Sequence, residues 1–149
     1  MTGVEIVPMT AAHLSAVMVH EEELFGTEAW TVDSYRAELA DLRYRYYICA
    51  LQDGDLLGWA GLLCIADTAQ IITIGVVPAA QHRGIGQLML DTLLAEARRR
   101  GAAEVVLEVR VDNAPARRLY ERNRFAVLRI RRGYYDLGRV DALEMRRAL

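Results

Sequence analysis

A glycine-containing segment in the middle of the chain has the composition of a phosphate-binding turn. Residues 81–86 are Gln-His-Arg-Gly-Ile-Gly, and they lie between an apolar, strand-like run and a long predicted helix. Backbone N–H groups converge at the start of a helix, and the helix dipole favours negative charge there. Because Gly84 and Gly86 have no Cβ, phosphate oxygens can approach the backbone closely. The segment therefore predicts a site for a phosphate or pyrophosphate group.

Two common nucleotide-binding patterns do not fit this segment. The dinucleotide fingerprint requires a third glycine at position 89, where this chain has Met89. The P-loop requires a Gly-Lys-Ser/Thr sequence, and this chain contains no lysine, since all 18 of its basic residues are arginine. For a lone Gly-x-Gly, a turn that uses glycine for geometry alone remains the alternative.

Two further residues have side chains suited to proton transfer. Glu108 interrupts the apolar run at residues 105–109, where a carboxylate costs free energy unless it is paired or functional. It could be a general base, or it could form a salt bridge to Arg110 or to an arginine on a neighbouring strand. Tyr120 could donate a proton or hydrogen bond from a phenol of pKa about 10. On residue type alone, packing beside Leu119 is the favoured interpretation of Tyr120.

Composition and charge restrict the class of protein. The 149 residues are 53% hydrophobic with a net charge of −2, which predicts one domain, residues 1–149, and argues against a nucleic-acid partner. No apolar run approaches the ~20 residues that span a membrane, and the N-terminus lacks a signal-peptide pattern. We therefore expect a cytoplasmic protein without a membrane partner.

Cys49 and Cys64 are predicted to be buried reduced thiols, and the three histidines form no metal-ligand cluster.

The order of elements needed to position these residues is βααβββαβαββ. Hydrophobic periodicity, capping residues and turn signals predict two kinds of element. We expect strands at residues 4–7, 46–51, 56–65, 70–77, 104–109, 126–130 and 142–145. We expect helices at residues 11–24, from a cap at Thr31 to about Leu42, from the glycine segment to about Arg100, and from a cap at Asp112 or Asn113 to about Asn123. This order predicts an α+β (or mixed α/β) fold with a mixed, mostly antiparallel sheet of about seven strands and about four helices.

The segment Gln81-x-x-Gly84-x-Gly86, between a strand and a long helix, resembles motif A of the GNAT acetyltransferases. The resemblance implies a GNAT-like fold and acetyl-CoA as co-substrate. Similarity to one GNAT subfamily, the bacterial ribosomal-protein-alanine N-acetyltransferases (RimI), rests on Trp30, Leu107-Glu108-Val109-Arg110, Asn113, Leu119-Tyr120-Glu121, Phe125 and Arg131-Arg132-Gly133-Tyr134-Tyr135.

The resemblance also implies roles for individual residues. Glu108 corresponds to the general base and Tyr120 to the general acid. The implied cofactor-binding residues are Ile74, Gly75 and Val76 for the pantetheine arm, His82, Arg83, Gly84, Ile85, Gly86 and Gln87 for the pyrophosphate, and Asn113. Trp30, Tyr134 and Tyr135 are expected to line the acceptor groove, and backbone N–H groups at residues 75–77 could hold an oxyanion. We expect Arg129, Arg131 and Arg132 to form a solvated face, and we expect no metal ligand.

The implied activity is direct acetyl transfer to the N-terminal α-amine of a protein. The resemblance favours the N-terminal alanine of a small-subunit ribosomal protein as the acceptor. Neither Cys49 nor Cys64 lies near these motifs, so a covalent intermediate is not expected. Two alternatives remain open at this point: a small-molecule amine acetyltransferase and a non-catalytic acetyl-CoA-binding module.

Overall fold

A seven-stranded sheet carries four α-helices in the computed structural model, which describes residues 3–149 of the chain. The strands are β1 (Val4–Pro8), β2 (Arg45–Gln52), β3 (Asp55–Ile65), β4 (Thr68–Val76), β5 (Glu104–Arg110), β6 (Ala126–Tyr135) and β7 (Val140–Ala148). The helices are α1 (Leu14–Phe25), α2 (Val32–Leu39), α3 (Ile85–Arg99) and α4 (Ala114–Arg122). The predicted fold class and order of elements are confirmed.

The sheet order is β1-β2-β3-β4-β5-β7-β6, and one neighbouring pair differs from the rest. All other neighbours are antiparallel, whereas β4 and β5 are parallel. Their pairing covers only Thr68, Ala69 and Gln70 of β4. Beyond Gln70 the two strands separate, although β4 continues to Val76 and β5 to Arg110. The sheet therefore opens into a wedge at its centre.

The helices cover opposite faces of the sheet, as two adjacent residues of β3 demonstrate. Trp59 packs edge-on against Phe25 of α1, at 6.3 Å between ring centroids. At Gly58, an added Cβ would lie 2.8 Å from the Cε of Met89 in α3. Since successive side chains in a strand point to opposite faces, α1 and α3 lie on different sides of the sheet.

Most predicted boundaries agree with the structure, and the differences lie at element ends. The Asp53-Gly54 turn is confirmed, with φ of 52° and 84° at its two residues. Strand β4 begins at Thr68 rather than residue 70, and α2 ends at Leu39 rather than near residue 42. The last two strands, predicted at residues 126–130 and 142–145, are longer. A register shift lies between Arg131 and Tyr135 in their pairing, and it accommodates residues expected in the connection.

Both cysteines are buried and free, as predicted. Burial raises the pKa of the Cys49 thiol to about 12 and also raises that of Cys64. A raised pKa suppresses the reactive thiolate, so neither side chain is suited to nucleophilic catalysis. Among residues 3–149, no helix is both long and apolar enough to cross a membrane.

Gly58 is predicted to be essential for packing between β3, β4 and α3. A Cβ at this position would lie 2.6 Å from the Gly75 carbonyl oxygen, a backbone atom that cannot rotate away. We expect Gly58→Ala to destabilise the fold by about 1–3 kcal/mol, measured by chemical denaturation. Gly86→Ala is the matched control, because its added Cβ would have no neighbour closer than 3.6 Å. Equal stability of the two variants would contradict the prediction.

Candidate functional site

A cleft of about 910 Å³ occupies the wedge between β4 and β5. Its lining comes from both strands, from the segment between α1 and α2, from α4 and from the end of β6. Its lining includes Glu21, Phe25, Glu28, Trp30, Thr73, Ile74, Glu108, Arg110, Asn113, Tyr120, Tyr134, Tyr135 and Asp136. The separation of the strands thus brings together both residues predicted for proton transfer and all three predicted for the acceptor groove.

The glycine turn presents backbone donors at the start of α3. Gly84 is the N-cap residue in a left-handed conformation, with φ of 81°. The first helical hydrogen bond runs from the Leu88 amide to the Gly84 carbonyl, at 3.0 Å. The amides of residues 82–87 donate no hydrogen bond to any group among residues 3–149. Six successive free N–H groups at the positive end of a helix dipole form a site suited to an anion.

Glycine occupies the two positions of the turn, 84 and 86, for different physical reasons. Gly84 is required by its left-handed backbone, which a residue with a Cβ adopts only at a free-energy cost. Gly86 is not required by packing, since an added Cβ would have only ordinary contacts, the nearest at 3.6 Å to Leu119. A glycine inside a helix costs about 0.5–1 kcal/mol relative to alanine. A small residue at position 86 is therefore consistent with the approach of a ligand.

Two glutamines hold the turn in place. The Gln81 side-chain amide donates to the Val76 carbonyl at 3.2 Å and fixes the turn to the end of β4. The Gln87 side chain bonds to Asp91 and Asn123, at 2.8 and 2.9 Å. Gln87 was predicted to bind cofactor, but its side chain is engaged within the protein, so only its backbone amide is available to a ligand.

The edge of β4 that faces the cleft has no strand partner after Gln70. Ile74 lines the cleft, and Gly75 and Val76 follow it. An added Cβ at Gly75 would lie 3.1 Å from the Trp59 ring, so packing explains this glycine. The expectation that N–H groups at residues 75–77 hold an oxyanion is wrong for Val77, because its amide donates to the Leu57 carbonyl at 2.9 Å.

Glu108 forms an ion pair, which was the alternative to its interpretation as a general base. Its partner is neither Arg110 nor an arginine of an adjacent strand. Its carboxylate accepts a hydrogen bond from Arg131 of β6 at 2.6 Å, and its side chain is 17% exposed. Glu144 of β7 stands directly opposite Glu108 and is bonded to Arg129 of β6. Two carboxylates placed opposite each other repel, and the two arginines offset that repulsion. Arg131 was expected on a solvated face; it is 41% exposed and also contacts the cleft carboxylate.

Tyr120 is buried at the wall of the cleft and packs edge-on against Phe125, with 5.7 Å between ring centroids. Its hydroxyl makes no hydrogen bond with any group among residues 3–149. Burial, with a smaller contribution from Tyr135, raises the pKa of the Tyr120 phenol. The hydroxyl therefore stays protonated and is available as a donor to a ligand in the cleft.

The predicted acceptor residues enter the cleft from two separate segments of the chain. Tyr134 and Tyr135 pack edge-on, with ring centroids 4.9 Å apart, and Arg131 lies 4.5 Å from the Tyr134 ring centre. The hydrogen bond between the Tyr134 hydroxyl and Glu108 raises the pKa of Tyr134. Trp30 belongs to the segment after α1, with its ring 5.0 Å from that of Tyr35. All three aromatic side chains thus line the cleft that also contains Glu108.

Asn113 has a structural role that accounts for its side-chain oxygen. It caps α4 by accepting a hydrogen bond from the Ala116 amide at 3.2 Å, which selects it over Asp112 as the predicted cap. Asp112 instead pairs with Arg110 at 2.9 Å. Asn113 also lines the cleft, so its side-chain amide can still face a ligand.

A contact at the mouth of the cleft was missed by sequence reasoning. Glu28 accepts a hydrogen bond from the Asp136 amide at 2.6 Å and pairs with Arg110 at 3.1 Å. Burial opposes ionisation of Glu28, but the Asp136 amide and the charge of Arg110 prevail and lower its pKa. This contact ties the α1–α2 segment to the end of β5 and to the β6–β7 turn. No local pattern indicates it, since its three residues are far apart in the chain.

A buried carboxylate behind the cleft was also missed. Glu21 is 2% exposed and accepts hydrogen bonds from the Tyr35 hydroxyl and, at 3.1 Å, from the Trp30 amide. The Trp59 ring N–H donates to the Tyr35 oxygen at 3.0 Å. A signal did exist, because Glu21 continues the helical spacing of Leu14 and Val17 on the buried face of α1.

Comparison with known proteins places these features in a family. The model of the acetyltransferase (GNAT) family matches residues 14–125. The [ribosomal protein bS18]-alanine N-acetyltransferase of Escherichia coli K12 is 40% identical over 128 residues, 85% of each chain. The N-alpha-acetyltransferase RimI of Mycobacterium tuberculosis H37Rv is 38% identical over 97% of this chain and 92% of its own. The crystal structure of the Escherichia coli ribosomal-protein-S18-alanine N-acetyltransferase matches with a TM-score of 0.85 at 30% identity, covering 97% of this chain and 93% of that one.

The burial of Glu21 predicts a pH-dependent stability. Burial raises the pKa of its carboxyl above the ordinary 4.5, despite the hydrogen bonds from Tyr35 and Trp30 that act in the opposite direction. The folded state therefore holds the proton more tightly, and the carboxylate becomes unfavourable as pH rises above about 4.5. We expect wild type to lose stability relative to Glu21→Gln over that rise, measured by urea denaturation from pH 4 to 7. The control is Glu22→Gln, an exposed neighbour; a parallel pH profile for both variants would contradict the prediction.

Proposed function

Because this chain belongs to the GNAT family of acetyltransferases, we propose that it transfers the acetyl group of acetyl-CoA to the N-terminal α-amine of a protein. The proposed acceptor is the N-terminal alanine of a small-subunit ribosomal protein in the cytoplasm. The observation that carries the proposal is the convergence of Glu108 and Tyr120 on one cleft. Trp30, Tyr134 and Tyr135, proposed for the acceptor, line the same cleft. The free amides at residues 82–87 follow the end of β4, the strand whose Ile74 also lines the cleft.

The residues present fit the chemistry of coenzyme A. The free amides at residues 82–87 suit its pyrophosphate, because they are donors at the positive end of α3. The unpaired edge of β4 from Ile74 to Val76 suits the amide groups of its pantetheine arm, as an added strand would. Asn113 offers its side-chain amide at the far wall. Acetyl-CoA supplies the acetyl group as a thioester, an activated acyl donor.

Glu108 is proposed as the base that removes a proton from the acceptor amine. An α-amino group has a pKa of about 8 and is mostly protonated at neutral pH, whereas only the neutral amine is nucleophilic. A glutamate carboxylate is ionised under the same conditions and can take the proton directly or through a water molecule. Arg131 and Tyr134 fix the orientation of the carboxylate within the cleft.

Tyr120 is proposed as the hydrogen-bond donor to the departing thiolate. Its hydroxyl has no partner among residues 3–149, and Tyr120 lines the same cleft as Glu108. Because burial raises its pKa, the phenol is a weak acid. It therefore stabilises the charge that develops on sulfur mainly by hydrogen bonding as the carbon–sulfur bond breaks. Tyr120 then gives its proton to the thiolate to form the thiol of coenzyme A, and the phenolate recovers a proton from solvent.

The proposed acceptor rests on the aromatic walls and on the relatives. Trp30, Tyr134 and Tyr135 line the same cleft as Glu108, so an extended chain end bound near the carboxylate could pack against aromatic side chains. Relatives that match most of this chain are named for acetylation of an alanine of ribosomal protein bS18. Both lines support a peptide rather than a small amine.

The proposal predicts acetylation at one nitrogen of a peptide. With acetyl-CoA, a peptide that carries the N-terminal sequence of bS18 should gain one acetyl group on its α-amine, detected by mass spectrometry. The same peptide with a blocked N-terminus, and a panel of small primary amines, serve as controls. Acetylation of the small amines with no modification of the peptide would refute the proposed acceptor while leaving the family membership intact.

The proposed roles predict that two substitutions slow transfer without loss of cofactor binding. Glu108→Gln and Tyr120→Phe should each lower kcat by about 10²- to 10⁴-fold, with acetyl-CoA affinity measured separately by calorimetry. Glu144→Gln is a matched control, because Glu144 faces Glu108 and also pairs with an arginine but does not line the cleft. A Glu144→Gln variant as slow as Glu108→Gln would indicate that the ion pairs act only on the fold.

A further inference from the structure

A second pocket, of about 490 Å³, lies where α3, the end of α4 and the end of β7 meet. Its charge is strongly unbalanced, although the whole chain has a net charge of −2. Four arginines and one carboxylate face it. The lining residues are Asp91, Leu94, Arg98, Arg122, Asn123, Arg124 and Arg147.

The four arginines of this pocket have no carboxylate partner in the part of the chain that the structure describes. Among residues 3–149, none of them forms an ion pair. The neighbouring Arg99 and Arg100 both pair with Glu96, so α3 does supply partners to other arginines. Asp91, the only acid at the pocket, accepts a hydrogen bond from Gln87 at 2.8 Å. The excess positive charge of the pocket can therefore be neutralised by an anion from outside the chain.

Arg147 is the most constrained of the four. One of its terminal nitrogens donates to the Asn123 carbonyl at 3.0 Å, but its Nε is buried and has no acceptor among the described residues, 3–149. Burial, followed by repulsion from Arg98 and Arg124, lowers the pKa of Arg147. A buried donor without an acceptor and a cluster of like charges are both unfavourable. An anion in the pocket would relieve both.

Arg124 has a backbone conformation that its residue type does not favour. It follows the last residues of α4 with φ of 69°, at a position where glycine is usual because it has no Cβ. Its amide donates to the Glu121 carbonyl at 3.2 Å, which ends the helix. The fold would accept glycine here with less strain. An arginine in this conformation is therefore better explained by what its guanidinium contacts than by the turn itself.

We propose that this four-arginine pocket binds a phosphate monoester group of a small molecule. Guanidinium groups match phosphate oxygens with paired N–H donors, and a dianion would offset the local charge. Two sources can supply such a group. One is the 3′-phosphate of coenzyme A, because Asn123 of the pocket bonds to Gln87 of the pyrophosphate turn at 2.9 Å; this source rests on the proposed function. The other is a separate phosphorylated metabolite.

The test compares ligands that differ by one phosphate. Acetyl-CoA and 3′-dephospho-acetyl-CoA are titrated by calorimetry into the full chain and into Arg98→Ala and Arg124→Gly. Inorganic phosphate is tested separately by its effect on Tm. Arg118→Ala removes the same charge from an exposed position on α4 that does not line the pocket, and it is the control. Arg124→Gly should fold at least as stably as wild type, so weaker binding by this variant cannot be attributed to unfolding.

If the pocket holds the cofactor's 3′-phosphate, both pocket variants should bind acetyl-CoA about tenfold more weakly and bind the dephospho form as wild type does. If it holds a separate phosphate, both cofactors should bind alike in all variants. Inorganic phosphate should then raise the Tm of wild type and Arg118→Ala but not of the pocket variants. Identical behaviour of pocket and control variants toward every probe would overturn the proposal. These readouts are binding and Tm, so failure to acetylate a peptide would bear on the proposed function alone.

Discussion

The parallel pair β4–β5 is joined over three residues and then comes apart, and the candidate site depends on that separation. A sheet whose central strands stayed paired would have no cleft, because backbone hydrogen bonds would close the space and satisfy both edges. The separation leaves one edge of β4 without a strand partner, and buried backbone groups need partners. A ligand with amide groups along its length is the natural complement. The same separation allows Glu108 and Tyr120 to face the opening from one side.

The sheet on the β5 side is held by paired charges as well as by hydrogen bonds. Glu108 and Glu144 face each other across β5 and β7, and each meets an arginine from the edge strand β6. The base of the proposed reaction is thus oriented by a strand that is not its direct neighbour. Glu21 of α1 accepts a hydrogen bond from the Trp30 amide and so fixes the backbone at that position. Trp30 and Tyr134 are thus each hydrogen-bonded to a carboxylate, Glu21 and Glu108 respectively.

The features that could be predicted from the sequence are those that depend on local patterns of residues. The turn before α3, the hairpin at Asp53-Gly54 and the capped helix starts depend on residues within a few positions of one another, so their spacing is visible along the chain. The partner of Glu108 could not be predicted, because Arg131 lies 23 residues away and reaches it across β7. Glu28 was missed for the same reason. Strand ends near residues 131–135 were placed wrongly because a register shift has no reliable local pattern.

The contact of Glu28 with Asp136 and Arg110 at the cleft mouth also has a consequence for the order of folding. Glu28 and Asp136 are separated by 108 positions, and with Arg110 they join three segments that lie far apart in the chain. Contacts of such high sequence separation form late, since the entropy of closing a long loop must be lost before they are gained. They rest on a few partly exposed polar contacts rather than on core packing, so local opening there requires far less free energy than global unfolding. The entrance to the cleft is therefore expected to form late in folding and to open by local unfolding before the rest of the domain does. The turn before α3 is expected to stay ordered, because the helix that it begins is packed in the core.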